Sequence, residues 1–591
     1  MPRNTHDIYC RSVTKIFSFL KKSDSIREAY LNAIEIDESG FLVPLSKCHL
    51  EDIDLIEKLT KWRNDNVFVY PTQFTATIES TKKWMTRGLL EIDDRILFLV
   101  VNKCGQLIGH MGFNSCHNQE LVMEIDNVVR GELSTAPGLF GKALLSLIDW
   151  ARKTINCEGF ILRVMDDNSH AINFYRNHGF VEKETIPLIK EPSDEIVNYR
   201  IARVDEKKDK SFLLMEYVND YECGKSLILT AGPSISQLES FYAYDAASNG
   251  WNNQWSRYSA RFEEEFAKYV NTKYALSTSS CTGALHISLM ALDIGERDEV
   301  IVPDQTWVAT ANAVRYVGAT PVFADVETDT WNLDSASVES LITEKTKAIM
   351  PVHMYGHPAR MTKIMALAKK YNLRVIEDAA PAIGAEWEGK RCGSFGDFAG
   401  FSFQGAKLLV TGEGGMLVTN NEELFIKAKK IWDQGRNASS SRAFWIDGEG
   451  VKYKMSNVQA AVGLGQLQRA DELIEMKRRI FSWYEEELGD LDCLKLNKEV
   501  EGARSIYWMS SLFVKENAKC SRDEMMSSLK EKNIDTRPVF PAISQYPIWN
   551  TGQKPQPIAT LIGDNSINLP SGVCLSYDEV KYVAKSIRNL V

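Results

Sequence analysis

Apolar side chains recur three and four residues apart between positions 11 and 34 (Val13, Ile16, Phe17 and Leu20, then Ile26, Ala29, Tyr30 and Ala33). That spacing lays a stripe along one side of a helix, so one or two helices are expected here, packed on the domain C-terminal to them. From about residue 42 the pattern is mixed. Leu97–Val101 and Leu107–Met111 are apolar runs on either side of Cys104-Gly105-Gln106, the pattern of a hairpin. Glu124–Val129 and Phe160–Val164 read as further strands. Between them, Leu139, Phe140, Ala143, Leu144, Leu147, Ile148 and Ala151 line one side of a helix over about 139–155. A short helix over 171–177 is closed by Gly179, a residue that accepts left-handed backbone at a helix end. The charged stretch 205–210 reads as a loop, and Phe212–Tyr217 as the last strand of this region. Beyond 219–228, helices alternate with short apolar strands such as 299–303, 321–325, 348–352 and 374–378. Alternation of that kind marks a mostly parallel α/β sheet.

A chain of 591 residues exceeds what one core serves, so two or more domains are expected. The boundaries read as a helical extension over 1–41, an α+β domain over 42–218, a linker over 219–228 and an α/β domain over 229–591. The net charge of -10 argues against nucleic acid as a partner, because phosphate neutralisation needs a basic surface. The eleven cysteines contain no C-x-x-C pair, so neither a zinc ribbon nor a disulfide framework is expected, and a reducing cytoplasm fits. No metal site is expected. No apolar run approaches the length of a membrane span, and Ile16–Leu20 is too short for a secretory signal, so membrane insertion is not expected.

Candidate chemistry centres on Lys407. It lies in Phe401-Ser402-Phe403-Gln404-Gly405-Ala406-Lys407, before Thr411-Gly412-Glu413-Gly414-Gly415, and comes after Asp378 at the end of the run Leu373–Glu377. An acid at the end of a buried strand, then a lysine on a glycine-punctuated turn, suits pyridoxal 5'-phosphate. The amine condenses with the cofactor's aldehyde, and the carboxylate keeps the ring nitrogen protonated so that the ring accepts electrons. Further segments accompany the pair: Ser279–His286, Pro303–Asn312, Glu377–Ala380, Gly393–Asp397, Met455–Ala461 and Asn568–Ser571. In order and number they make residues 229–591 resemble the sugar-nucleotide aminotransferases of the DegT/DnrJ/EryC1/StrS family, which have the fold-type I architecture with a smaller C-terminal subdomain. The resemblance implies that Trp307 stacks on the cofactor ring. Cys281 and Thr282 would hold the phosphate by their N–H groups at a helix start, and the Ser402 hydroxyl would add a further bond. Asn457 would reach the phosphate of the neighbouring subunit, which implies a homodimer. Cys281 stands where the family commonly has glycine, Pro381 where it often has a polar residue, and Gln404 where histidine is frequent.

The segment Asn168-Ser169-His170-Ala171-Ile172-Asn173-Phe174-Tyr175-Arg176-Asn177-His178-Gly179-Phe180 has an N-x-x-A-x-x-x-Y-x-x-x-G-F pattern. By it, residues 42–218 resemble the GCN5-related N-acetyltransferases (GNAT), and Trp62-Arg63-Asn64 resembles members that acylate amino sugars. The resemblance implies acetyl-CoA as cosubstrate, Tyr175 as the acid that protonates the leaving thiolate, and Glu124 as the base for the amine. Asn168 belongs to the coenzyme-binding segment, and the N–H groups around Gly138 and Gly141 would bind the pyrophosphate. Gly138 occupies the position where the family has Gln or Arg.

One domain is thus expected to make an amine and the other to consume one. The combined expectation is transamination of a 4-keto-6-deoxy sugar nucleotide with glutamate as donor, then N-acetylation. A 3-aminotransferase, a single activity beside a structural GNAT-like domain, and a non-catalytic cofactor-binding regulator are the alternatives.

Overall fold

The computed structural model describes residues 5–37, 39–132, 136–155, 157–191, 196–203, 206–218, 227–437, 440–549 and 552–591. The chain divides into two compact units, Met1–Tyr221 with Ser236–Phe241, and Glu222–Ile235 with Tyr242–Val591. Of the expected linker 219–228, all but Leu227 and Ile228 lies outside the described residues.

The first unit is built on a ten-stranded sheet. Its strands in chain order are β1 (Ile34–Ile36), β2 (Gly40–Pro44), β3 (Thr72–Gln73), β4 (Ile96–Asn102), β5 (Leu107–Asn114), β6 (Val122–Arg130), β7 (Gly159–Met165), β8 (Phe180–Glu191), β9 (Val197–Ile201) and β10 (Lys210–Tyr217). They lie in the order β1-β2-β4-β5-β6-β7-β10-β8-β9-β3. The unbroken apolar run of β4 has a direct cause. Ile96, Phe98 and Val100 enter a core with Phe113, Leu147 and Trp150, while Leu97, Leu99 and Val101 enter another with Leu59, Trp62 and Met85. A strand covered on both faces needs apolar residues at every position. The helix Thr5–Lys21 sends Tyr9, Val13, Phe17 and Leu20 into the first of these cores. The N-terminal segment is therefore part of this unit, and it is not wholly helical, since Ile34–Ile36 pairs with β2.

One irregularity shapes this sheet. β6 and β7 run parallel only from Val122/Gly159 to Ile125/Leu162. Beyond that point β6 carries a register shift against β5, and Asn127 takes φ 52°. The bulge twists β6 away, and a wedge opens between it and β7.

The second unit contains a seven-stranded sheet of β11 (Tyr274–Thr278), β12 (Glu299–Pro303), β13 (Thr320–Ala324), β14 (Thr346–Ile349), β15 (Arg374–Asp378), β18 (Phe398–Ser402) and β19 (Gly415–Thr419), while β16 (Glu386–Trp387) and β17 (Lys390–Arg391) form a side ribbon. The order is β11-β19-β18-β15-β14-β12-β13. The pairs from β13 to β18 are parallel, and β19 runs antiparallel to both its neighbours. A smaller antiparallel sheet lies toward the C-terminus, with Leu494–Leu496, Ser511–Val514, Arg537–Pro538 and Ser566–Asn568. Among the described residues no helix is long and apolar enough to cross a membrane. None of their His, Cys, Asp and Glu side chains group into a metal site.

Candidate functional sites

In the second unit, β15 ends on two acids that face opposite ways, as strand neighbours must. Glu377 is fully buried and accepts from the N–H groups of Gly393 (2.7 Å), Phe395 (2.7 Å) and Gly396 (2.9 Å). His353 Nδ1 accepts from the Ala359 N–H (3.0 Å), so its Nε2 is the nitrogen that donates to Glu377 (3.1 Å). Asp378 is turned to the other side. Thr310 Oγ1 donates to its Oδ2 (2.7 Å), the Ala380 N–H donates to Oδ1 (3.1 Å), and Cys281 Sγ lies 3.9 Å from Oδ1.

Burial raises the Asp378 carboxyl above its ordinary range, with the Thr310 hydrogen bond and the Lys407 charge acting against that rise. Burial pushes the Lys407 amine down to about 8, against the pull of the Asp378 charge. An amine near neutral pKa keeps a usable lone pair at physiological pH, which condensation with an aldehyde requires. Lys407 Nζ also lies 3.8 Å from the centroid of Trp508. The Trp508 indole N–H donates to the Ala406 carbonyl (2.8 Å), so this wall is tied to the lysine's own turn.

The helix Cys281–Ala291 begins beside this pair, capped by Ser280, whose hydroxyl accepts from the Gly283 N–H (3.1 Å). A Cβ at Gly415 would collide with the Ser280–Cys281 backbone, so glycine is what lets β19 approach that helix start. Thr282 stands in this first turn. Ser402 is buried at the end of β18, where its oxygen accepts from the Gln404 N–H (3.5 Å) and keeps its own proton to donate. Trp307 is 57% exposed and packs on Phe540, ring centroids 5.5 Å apart. Asn457 is engaged within its own chain: Oδ1 accepts from the Tyr258 N–H (2.9 Å), while Nδ2 is buried with no partner among the described residues. A buried acid, an amine of lowered pKa, a helix start and a hydroxyl make a donor set that fits a phosphorylated pyridine aldehyde. The sequence alone assigns no role to Thr310, Trp508 or His353. Thr310 stands within the motif Pro303–Asn312, but only the fold brings it to Asp378, 68 residues away.

In the first unit, the wedge between β6 and β7 is a cavity of about 460 Å³. Tyr175, Asn168 and Ala171 line one part of it, and Arg63, Tyr70 and Phe74 another. Burial, aided by the Asp126 charge, raises the Tyr175 phenol above its usual value, so it keeps its proton. Asn168 caps the helix Ser169–Arg176 by accepting from the Ala171 N–H (3.2 Å). Glu124 also lines the cavity, but Arg163 donates to both its oxygens (2.7 Å each). A carboxylate held bidentately by a guanidinium is a poor acceptor for an amine proton. Gly138 precedes the helix Leu139–Thr154 with left-handed backbone (φ 80°) and open space around it. Gly141 answers a different demand, because a Cβ there would run into the His178 ring.

A model of the DegT/DnrJ/EryC1/StrS aminotransferase family matches residues 233–588, and a model of the acetyltransferase (GNAT) family matches residues 57–180. GDP-perosamine synthase of Escherichia coli O157:H7 is 41% identical over 355 residues, which are 60% of this chain and 96% of that protein. GDP-perosamine synthase of Caulobacter vibrioides is 39% identical over 362 residues, 61% of this chain and 97% of that protein. Among solved structures, the aminotransferase from Psychrobacter cryohalolentis superposes with a TM-score of 0.58 at 31% identity, covering 60% of this chain and 97% of that one.

Proposed function

The chain belongs to the DegT/DnrJ/EryC1/StrS aminotransferase family, and we propose that it performs two consecutive steps on one sugar nucleotide. Residues 229–591 would transfer an amino group from glutamate to a 4-keto-6-deoxy sugar nucleotide, and residues 42–218 would N-acetylate the product with acetyl-CoA. The observation that carries the amination step is the buried Asp378 carboxylate, oriented by Thr310 (2.7 Å) and the Ala380 N–H (3.1 Å), within reach of the charge on the Lys407 amine. The amino-sugar substrate class is supported by the two GDP-perosamine synthases.

Lys407 and Asp378 would hold pyridoxal phosphate at its aldehyde and ring nitrogen. Thr282, Ser402 and the Cys281 N–H would hold its phosphate, with Trp307 against the ring. When bound, the cofactor supplies an aldehyde that exchanges amines and a ring that accepts electrons. Thr310 keeps the Asp378 carboxylate turned to the site. Lys407 Nζ, with its lowered pKa, would take the proton from the carbon bearing the donor amine and deliver it to the other carbon of the 1,3-shift. A homodimer formed through residues 229–591 is part of the reading.

In the acylation step the sugar amine attacks the thioester carbonyl. The C–N bond forms, the C–S bond breaks, and Tyr175 protonates the leaving thiolate. Transamination runs readily in both directions, so amide formation draws the sequence forward. Tethering raises the local concentration of the amine. The test mixes purified protein, glutamate and 4-keto-6-deoxy sugar nucleotide with and without acetyl-CoA. Mass spectrometry is expected to show free amine without acetyl-CoA and amide with it. Free amine under both conditions would leave a single activity, and unchanged ketone would overturn the reading.

A further inference from the structure

Among the described residues, the wedge cavity of the first unit is lined by one histidine. His110 on β5 is 4% exposed and lines the cavity. Its Nδ1 lies 2.7 Å from the Asn127 carbonyl, which only accepts, so Nδ1 carries the proton. Asn127 is the bulge residue, without a partner in the β5–β6 register. Its carbonyl is therefore free of the ladder and fixes the ring's tautomer instead. The lone pair is left on Nε2, which has no hydrogen-bond partner among the described residues. Burial pushes His110 down to about 4, so at neutral pH the ring is uncharged.

Among the described residues, the two carboxylates that line the cavity already accept hydrogen bonds. Glu124 is bonded bidentately by Arg163, and Asp126 Oδ2 accepts from Arg95 (2.8 Å) and from Asn127 Nδ2 (2.5 Å). Tyr175 enters from the helix after β7, and His110 enters from the strand on the far side of β6. The cavity thus has a protonated phenol on one flank and an unprotonated imidazole nitrogen on the other.

We propose that His110 is the general base of the acyl transfer, accepting the proton of the attacking amine on Nε2. This rests on reading the unit as an acyltransferase. As the amine nitrogen bonds to the thioester carbon, one N–H proton passes to Nε2. The C–S bond breaks, and the thiolate takes a proton from Tyr175. The imidazolium then releases its proton to solvent and the phenolate recovers one, so the net products are amide and free thiol.

The test uses the full chain with a 4-amino-6-deoxy sugar nucleotide and acetyl-CoA, and monitors thiol release. His110→Gln and His110→Ala are expected to lower kcat about 10²–10⁴-fold, with KM for the amine and the dissociation constant for acetyl-CoA within about twofold. Added imidazole should restore part of the His110→Ala rate, a response that a purely structural role would not give and that a misfolded variant could not give. A kcat loss below about fivefold, a change in KM alone, or absence of imidazole rescue would overturn the proposal. Wild-type protein that releases no thiol would instead remove the acyltransferase reading, and the proposal with it. Active wild type with equally active His110 variants removes only the proposal.

Discussion

At Lys407 burial outweighs a neighbouring negative charge, and the amine comes out near 8 rather than above 10. The uncharged fraction of that amine therefore rises through about pH 8, where half of it is uncharged, and levels off about one to two pH units higher. Loading of cofactor onto the apoprotein, tracked by its near-visible absorbance, should climb through this range and then flatten. A rise that continues beyond pH 10 would mean an unperturbed lysine. Replacing the residue, as Lys407→Ala, should cost amination at least about 10²–10⁴-fold while acetylation of a supplied amine persists. Asp378→Asn removes the charge that would hold the ring nitrogen protonated. It should lower amination while leaving Lys407 able to load cofactor, read by the same absorbance. Position 407 stood out in the sequence because glycines and an upstream strand-end acid frame it. The company of Glu124 did not, because Arg163 reaches it across a parallel strand pair 39 residues later. The Thr310–Asp378 bond was hidden in the same way, since no local pattern records which distant hydroxyl a carboxylate will meet.

Strands and helices of the first unit show two separate reasons for glycine, and these predict different outcomes. Gly138→Ala places a side chain in left-handed backbone, a cost of about 1–2 kcal/mol, with open space for the methyl group. Gly141→Ala keeps helical backbone but drives a methyl against His178, an overpacking cost of about 1–3 kcal/mol, and it displaces the start of the helix expected to meet the coenzyme. Thermal melts of both variants should fall, and acetyl-CoA affinity should fall more for Gly141→Ala. At this scale much was legible. The apolar run 97–101 announced a strand, and the structure adds that its two faces serve two cores. Ile34–Ile36 was not legible, because three residues of alternation merge with the helical spacing that ends at Ala33. The bulge at Asn127 left no mark either, since asparagine on a strand reads as an ordinary polar position.

Across the whole molecule, the proposed steps require two sites that fail independently. Lys407→Ala and Tyr175→Phe proteins, each unable alone to carry the keto sugar to the amide, should complete it when mixed, because free amine made by one can be acylated by the other. A mixture that stays inactive would mean that each site needs the other intact. The two-module organisation was open to sequence reading because the apolar pattern changes character along the chain, while the wedge needed the register of three strands to be seen together. The end of β15 carries a wider lesson about tolerance to change. Its two acids are consecutive, yet one is clamped by three amides and an imidazole while the other faces the reactive amine. A one-residue slip of that strand, as from loss of Val375 or Ile376, turns both acids to the opposite faces, so that Asp378 leaves the Lys407 side and Glu377 leaves the three amides that hold it. This stretch should accept conservative swaps of its apolar members and reject any frame-preserving deletion.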